Sequence, residues 1–333
     1  MTTANEVKAG AAADPLRCMI AMPFDGEFYP NGFPARVRSN SPVVLAAAHE
    51  AWRGWQQRFR EAPVEIRALV GGGSSSEAPQ PPADSAQGHL LASVANRDNH
   101  YCCDMRQGLA DVWVTEAVAA SGDYFRYHFL EAPAYGLLEV FHLLSVHAAC
   151  VSLDGRGVLL SGESGAGKSS LAYACARRGW AYCSDDASSL VRRAEGRIVL
   201  GRPGVFRFRE SAGALFPEFR GMKESRRGNG KPTIEVRTQT LPAIRTATES
   251  RVDHIVFLNR RDAAGVLAQI ECISKQEARR RLSWDPWPPE LPFREERKAA
   301  LERLLGAETY EMRYRDLDHA VDRLEQLVRG GSQ

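Results

Sequence analysis

Hydrophobic and polar positions change rhythm along this chain, and the changes predict its elements. In the first third, apolar residues come in short bursts. LRCMIAM (16–22) and the alternating VEIRALV (64–70) predict strands, and VVLAAAHEAWRGWQQRF (43–59) between them repeats at helical spacing. LLASVAN, HYCCDM and ADVWVTEA predict further short strands separated by polar turns. GGGSSSEAPQPPADSAQ, residues 71–87, is too rich in Gly, Ser and Pro to support a packed element and reads as a flexible inserted loop. Residues 1–120 are therefore expected to form a small α+β N-terminal domain.

From Asp123 the rhythm lengthens. Aromatic and aliphatic residues recur at helical intervals through DYFRYHFLEAPAYGLLEVFHLLS in spite of Pro133, which predicts a kinked connecting helix over 121–145. Its aromatic stripe, Tyr124, Phe125, Tyr127, Phe129 and Tyr135, reads as core packing. From His147 come strand HAACVSL, strand GVLLSG, a glycine-rich turn, helix KSSLAYACARRG and strand WAYCSDD. RIVLGR, a helix RESAGALFPEF, a polar loop GMKESRRGNGKP and strands TIEVRT, HIVFLN and LAQIECI follow, then helices near 275–283, 294–305 and 316–329. Strand, glycine turn, helix, strand opens a layered α/β domain, placed at 146–333.

Composition narrows the classes of function. The chain has 43 Lys+Arg against 41 Asp+Glu, a formal charge of +2, without the basic excess that a general nucleic-acid or membrane-surface binder needs. The apolar hexamer near the start is too short for a signal peptide, and no stretch reaches the roughly 18 apolar residues of a membrane span, so a cytoplasmic location is expected. The 7 cysteines include no C-x-x-C pair, which suggests neither a disulfide framework nor a zinc knuckle. Vicinal Cys102 and Cys103 are candidates for redox chemistry, with burial in the core as the alternative.

The candidate chemistry lies in GVLLSGESGAGKSSLAYACARRGWAYCSDD (157–186). Gly162, four residues, then Gly167-Lys168-Ser169 satisfies G-x-x-x-x-G-K-[ST], and it follows an apolar strand and opens a helix, the context that motif requires. The glycines let main-chain N–H groups of Gly162, Glu163, Ser164, Gly165, Ala166, Gly167, Lys168, Ser169 and Ser170 turn inward toward phosphates. The helix presents its positive dipole end, Lys168 neutralises the β and γ phosphates, and Ser169 is a ligand for Mg2+. Asp185 and Asp186 end the next strand, on the edge where ligands gather in such sheets. Alternation along a strand sends neighbouring side chains to opposite faces, whereas a turn at its end would bring both toward the metal and an incoming hydroxyl. A solvated acidic turn or a helix cap for ASSL is the plainer reading of the pair.

His147, GESGAGKSS and RRGWAYCSDD together resemble the HPr kinase/phosphorylase family: a histidine ahead of the glycine turn, a helix ending in a basic pair and glycine, and a strand ending in two aspartates. The resemblance is good over about 140–190, weak beyond, and leaves 1–120 unaccounted for. It implies a P-loop kinase domain of the HPr kinase/phosphoenolpyruvate carboxykinase-like type, ATP and Mg2+ as ligands, and phosphate transfer to a serine of a protein or peptide. In its terms Asp186 is the base, Asp185 supports the metal or the acceptor hydroxyl, and His147 lies beside the phosphates; a homo-oligomer is compatible with it. The family's acidic metal ligand and Ile-Asp pair are not recognisable in RIVLGRPGVFRFRESAGALFPEF.

Two alternatives stay open, a small-molecule kinase on the same scaffold and a nucleotide-binding regulator with little turnover. Lys223, Arg226, Arg227 and Lys231 make a basic loop able to close over phosphates, with an ordinary solvated loop as the alternative, and Glu235 is a further candidate for the metal site. Asn259-Arg260-Arg261-Asp262 is close to the guanine-reading N-K-x-D, but arginine replaces its lysine and no switch motif precedes it. An ATPase motor is disfavoured because no LSGGQ-like segment is present.

Overall fold

A computed structural model describes residues 20–73, 80–186, 188–222, 224–226, 232–260, 265–282 and 293–330. The chain divides into two compact units, one of residues 1–85, 91–104 and 108–134, the other of residues 86–90, 105–107 and 135–333. The fold is mixed α/β.

In the first unit, β1 (Phe24–Phe28), β2 (Ala35–Ser39), β3 (Val64–Gly71), β4 (Ala83–Gln87), β5 (Leu90–Asn96), β6 (Asn99–Asp104) and β7 (Leu109–Thr115) make one sheet in the order β1-β2-β3-β7-β6-β5-β4. Helix α1 (Pro42–Ala51) connects the parallel β2 and β3, and Ala35, Val37, Ile66, Ala68, Ala110 and Val112 are fully buried. Several expectations change here. Residues 16–19 lie outside the described residues, Ile20–Met22 are not strand, and the first strand starts at Phe24. The helix expected to reach 59 stops at Ala51, and Gly54 soon takes φ +89°. β2 was not legible because Arg36 and Arg38 flank buried Val37; they face Asp25 and Glu65 in ion pairs on the other side of the sheet. The expected loop 71–87 is strand at both ends, and all residues of β4 are exposed, so no apolar alternation marked it. Its residues 74–79 lie outside the described residues.

Thr115 caps α2 (Glu116–Ala119) by accepting the Val118 N–H at 3.2 Å. The expected connecting helix is α3 (Asp123–Phe125), a π-helical turn (Arg126–Glu131) and α4 (Ala132–Phe141), the turn falling just ahead of Pro133. Its last expected residues are strand instead: β8 (Leu143–Val146) pairs antiparallel with β12 (Ser188–Val191).

The second unit is a layered α/β body. Its ten-stranded sheet is centred on β10 (Arg156–Ser161), which runs antiparallel to β9 (Ala148–Leu153) and parallel to β18 (Glu249–Asn259). The β9–β10 turn is Asp154-Gly155, both at positive φ, the two-residue connection whose twist suits a hairpin. Next to β9 lie β11 (Ala181–Ser184) and β17 (Arg245–Thr246). The start of β18 pairs β13 (Ile198–Leu200), its end pairs β20 (Glu308–Tyr314), and β19 (Ala268–Cys272) closes that side.

Strand alternation gives this sheet two apolar faces. Val158, Leu160, Val256 and Leu258 pack with α5 (Lys168–Arg177) and α9 (Leu317–Gly330) on one face. Leu159, Ile255 and Phe257 pack with α7 (Lys275–Leu282) and α8 (Arg294–Leu304) on the other. The first face also carries a three-stranded sheet of β14 (Val205–Phe208), β16 (Pro232–Arg237) and β15 (Ser225–Arg226). Phe206, Phe208, Phe216 and Phe219 surround Tyr173 of α5 with ring centroids 4.8–5.5 Å apart. RESAGALFPEF is thus not one helix but α6 (Ala212–Leu215) and a single 3-10 turn (Pro217–Phe219), interrupted at Pro217.

Candidate active site

The glycine turn runs from the end of β10 to the start of α5, so strand and helix fix both its ends. Gly162 is required by close approach: a Cβ there would lie 2.9 Å from Ala166 Cβ and 3.0 Å from Leu258 O. Gly167, the residue before α5, has φ +93°, and a Cβ there would collide with the Tyr314 hydroxyl. That hydroxyl donates to Ala166 O at 3.0 Å, and the Arg260 guanidinium lies 5.6 Å from the Tyr314 ring centroid. The turn therefore rests on a phenol supplied from β20, a support that no local sequence signal announced.

Lys168 is 7% exposed and donates from Nζ to Gly162 O at 2.8 Å, bridging the turn from within. Burial lowers its pKa from the ordinary lysine value, the Asp186 charge opposes that shift, and the Arg209 charge adds to it. Ser169 and Ser170 occupy the first turn of α5, beside the N–H groups that have no partner within the helix. Arg209, just after β14, donates to Ser164 Oγ at 2.7 Å; sequence reasoning had not singled it out, since only the aromatic packing of β14 on α5 brings it there.

The two aspartates part. Asp186 is half-exposed and stands 3.3 Å from His147 Nδ1 through Oδ1. Asp185 is 4% exposed and accepts the Arg207 N–H through Oδ2 at 2.7 Å. Simple alternation is broken in β11 by a register shift between Tyr182 and Ser184, so that Asp185 meets β14 as Tyr182 does, and Asp186 lines an open cavity of about 1800 Å³ together with His147 and Gly162–Ala166. The structure thus brings His147, Lys168 and Asp186 to the turn and leaves Asp185 off the cavity. Glu235 bonds Arg207 Nε at 3.0 Å on the β14–β16 pair and does not line the cavity either.

The opposite wall belongs to α7, α8 and the end of β18: Arg280, Arg281, Arg294, Arg297, Lys298 and Arg260 all line it. Of the remaining candidates, Lys223, Arg227, Lys231, Arg261 and Asp262 lie outside the described residues, and Arg226 contributes backbone to β15. Asn259 donates to Glu311 Oε1 at 3.0 Å. Among the described residues no group of three or more His, Cys, Asp or Glu side chains is placed to hold a metal, and no helix is long and apolar enough to cross a membrane. Burial raises the pKa of both Cys102 and Cys103, which disfavours thiolate chemistry there.

Residues 138–207 match the HPr Serine kinase C-terminal domain. That span contains His147, the glycine turn and both aspartates. An HPr kinase/phosphorylase of Lactobacillus delbrueckii subsp. bulgaricus is 31% identical over 90 residues, covering 27% of this chain and 28% of that one. A putative HPr kinase/phosphorylase 2 of Oceanobacillus iheyensis is 40% identical over 58 residues, 17% of this chain and 19% of that one. The chain therefore matches less than a third of the length of these relatives. The solved HPr(Ser) kinase/phosphatase from Coxiella burnetii aligns over 56% of this chain and 88% of its own, with 18% identity and a TM-score of 0.32.

Proposed function

We propose that the second unit is an ATP- and Mg2+-dependent kinase domain of the P-loop type that transfers the γ-phosphate to a serine hydroxyl of a protein or peptide. One observation carries the reading: Asp186, 3.3 Å from His147 Nδ1, faces the same cavity as the glycine turn, with Lys168 near enough for the two charges to interact. A base without a phosphate site, or a phosphate site without a base, would support much less.

The N–H groups of the turn and of the first turn of α5 take the phosphate oxygens. Lys168 exchanges the Gly162 carbonyl for a phosphate oxygen, which lowers the cost of its burial, and Arg209 stands ready at Ser164 to bear transferred charge. Bound Mg2+ would neutralise charge on the triphosphate. Ser169 supplies a hard oxygen donor for it, and Mg2+ needs few further protein ligands because it retains water and phosphate oxygens. Asp186 accepts the seryl proton as the serine oxygen bonds to the γ-phosphorus and the bond from that phosphorus to the β–γ bridging oxygen breaks. Asp185 holds the Arg207 amide and so fixes β14 against α5. The serine acceptor rests on the description of the matching family.

Transfer of label from γ-labelled ATP to fractionated cell lysate tests this reading. Label on a protein or peptide serine is expected. Label confined to small solutes would make the acceptor a metabolite, and tight nucleotide binding without transfer would reduce the site to a regulatory one.

A further inference from the structure

The cavity is larger than a nucleotide requires, since sites for small molecules occupy about 300–1,000 Å³, against about 1800 Å³ here. The glycine turn, His147 and Asp186 form one side. β8 contributes Leu144–Val146, and the opposite wall is built from α7, α8 and the end of β18, with a distinctive charge.

Arg294, Arg297, Lys298 and Leu301 line the cavity at helical spacing, so one stripe of α8 faces it. Arg297 is buried and donates to Glu139 O at 3.0 Å, a structural use. Arg280 and Arg281 share Glu277 at 2.6–2.8 Å, and Arg281 also lies 3.4 Å from Glu311, so much of their charge is spent within the wall. Arg294 and Lys298 differ: both are exposed, and among the described residues neither has a carboxylate within ion-pairing distance. Arg260, also exposed, stacks on Tyr314 at the rim of the glycine turn. Glu295 is the opposing carboxylate on the α8 part of the wall. Its neighbour Glu296 is bound to Arg193, and Glu302 to Arg279.

We propose that this wall is the docking surface for the acceptor, and that it selects a serine carried in an acidic peptide segment, seated against Arg294, Lys298 and Arg260. This rests on the kinase reading of the same site. An acidic segment approaching Asp186 and a triphosphate is repelled by both, and exposed cations flanking the approach offset that repulsion and speed encounter. Triphosphate recognition is supplied by the turn, Lys168 and Arg209, which leaves Arg294 and Lys298 available to the acceptor.

The test measures binding apart from transfer. Fluorescein-labelled serine peptides with acidic, neutral or basic flanks are titrated into the full chain holding a non-hydrolysable ATP analogue and Mg2+. The acidic peptide should bind about tenfold more tightly than the neutral one, with an advantage that shrinks as salt rises. Arg294→Glu/Lys298→Glu should abolish the preference while leaving affinity for the analogue within about twofold. Equal binding of the three peptides, or an acidic preference unchanged in the double variant, would overturn the proposal. So would citrate or inositol hexakisphosphate competing fully where a tenfold excess of unlabelled acidic peptide does not, which would assign the wall to a small anion. Preferential binding of the acidic peptide with no label transferred from ATP would retain the docking surface and refute the kinase reading.

Discussion

The two walls of the cavity use different physics. On one, backbone conformation shapes the surface: a turn runs between β10 and α5, and side chains matter at Gly162 and Gly167 chiefly by their absence. On the other, α8 and the end of β18 offer long cationic side chains, those of α8 at helical spacing. A backbone site tolerates little change because its geometry is covalent and local. A side-chain wall can exchange residues and alter its preference without disturbing the fold. Asp186 lines the cavity on the side of the turn, and under the proposed reading it is where both walls would act on the acceptor.

Substitutions can break that comparison at either wall. The largest effect is expected at the junction: Asp186→Asn should lower transfer by about 10²–10⁴-fold while nucleotide affinity holds, measured by labelled transfer beside equilibrium titration. Gly167→Ala comes next, because the left-handed backbone costs an L residue about 1–3 kcal/mol and the Tyr314 hydroxyl is in the way. Nucleotide affinity should fall about 10–100-fold, and retained affinity would show that the turn is not a rigid backbone site.

Charge reversal at Arg294 and Lys298 should instead cost about tenfold in kcat/KM for an acidic acceptor and leave nucleotide binding alone, the opposite split from the glycine variant. Arg209→Ala removes the charge-assisted bond to Ser164 and should lower transfer about three- to tenfold, a modest change because the side chain is exposed. Asp185→Asn weakens a buried contact with the Arg207 amide and should lower stability by about 1–3 kcal/mol, seen as a lower Tm. Its loss of transfer should be much smaller than that of Asp186→Asn; equal losses would return Asp185 to the reacting centre.

How far the sequence could be read followed from how local each determinant was. The glycine turn was legible because strand, glycines, lysine and helix are consecutive; the Asp154-Gly155 hairpin before it is equally local but was not singled out. The aspartate pair was legible as a pair and the resemblance assigned its two members separate roles, but the contact of Asp185 with the Arg207 amide was not legible, since only the position of β14 decides what Asp185 meets. Tyr314 and Arg209 were missed because they are distant in sequence from the turn they touch. The first unit shows the other kind of failure, in β2, where charges flank a single buried valine, and in β4, where no buried face exists to produce a pattern.

The sequence by itself determined the apolar strands of the central sheet, the conformational freedom of the turn and the position of a lysine one residue beyond its last glycine. Backbone geometry of that kind depends on residues within a few positions of one another. Tertiary structure alone decided that Asp186 and not Asp185 meets the cavity, that a phenol from β20 supports the turn, and that cations from α8 stand opposite it. Those outcomes depend on strand order and helix placement, which bring together residues more than a hundred positions apart and which burial of the two apolar faces of the sheet selects as a whole.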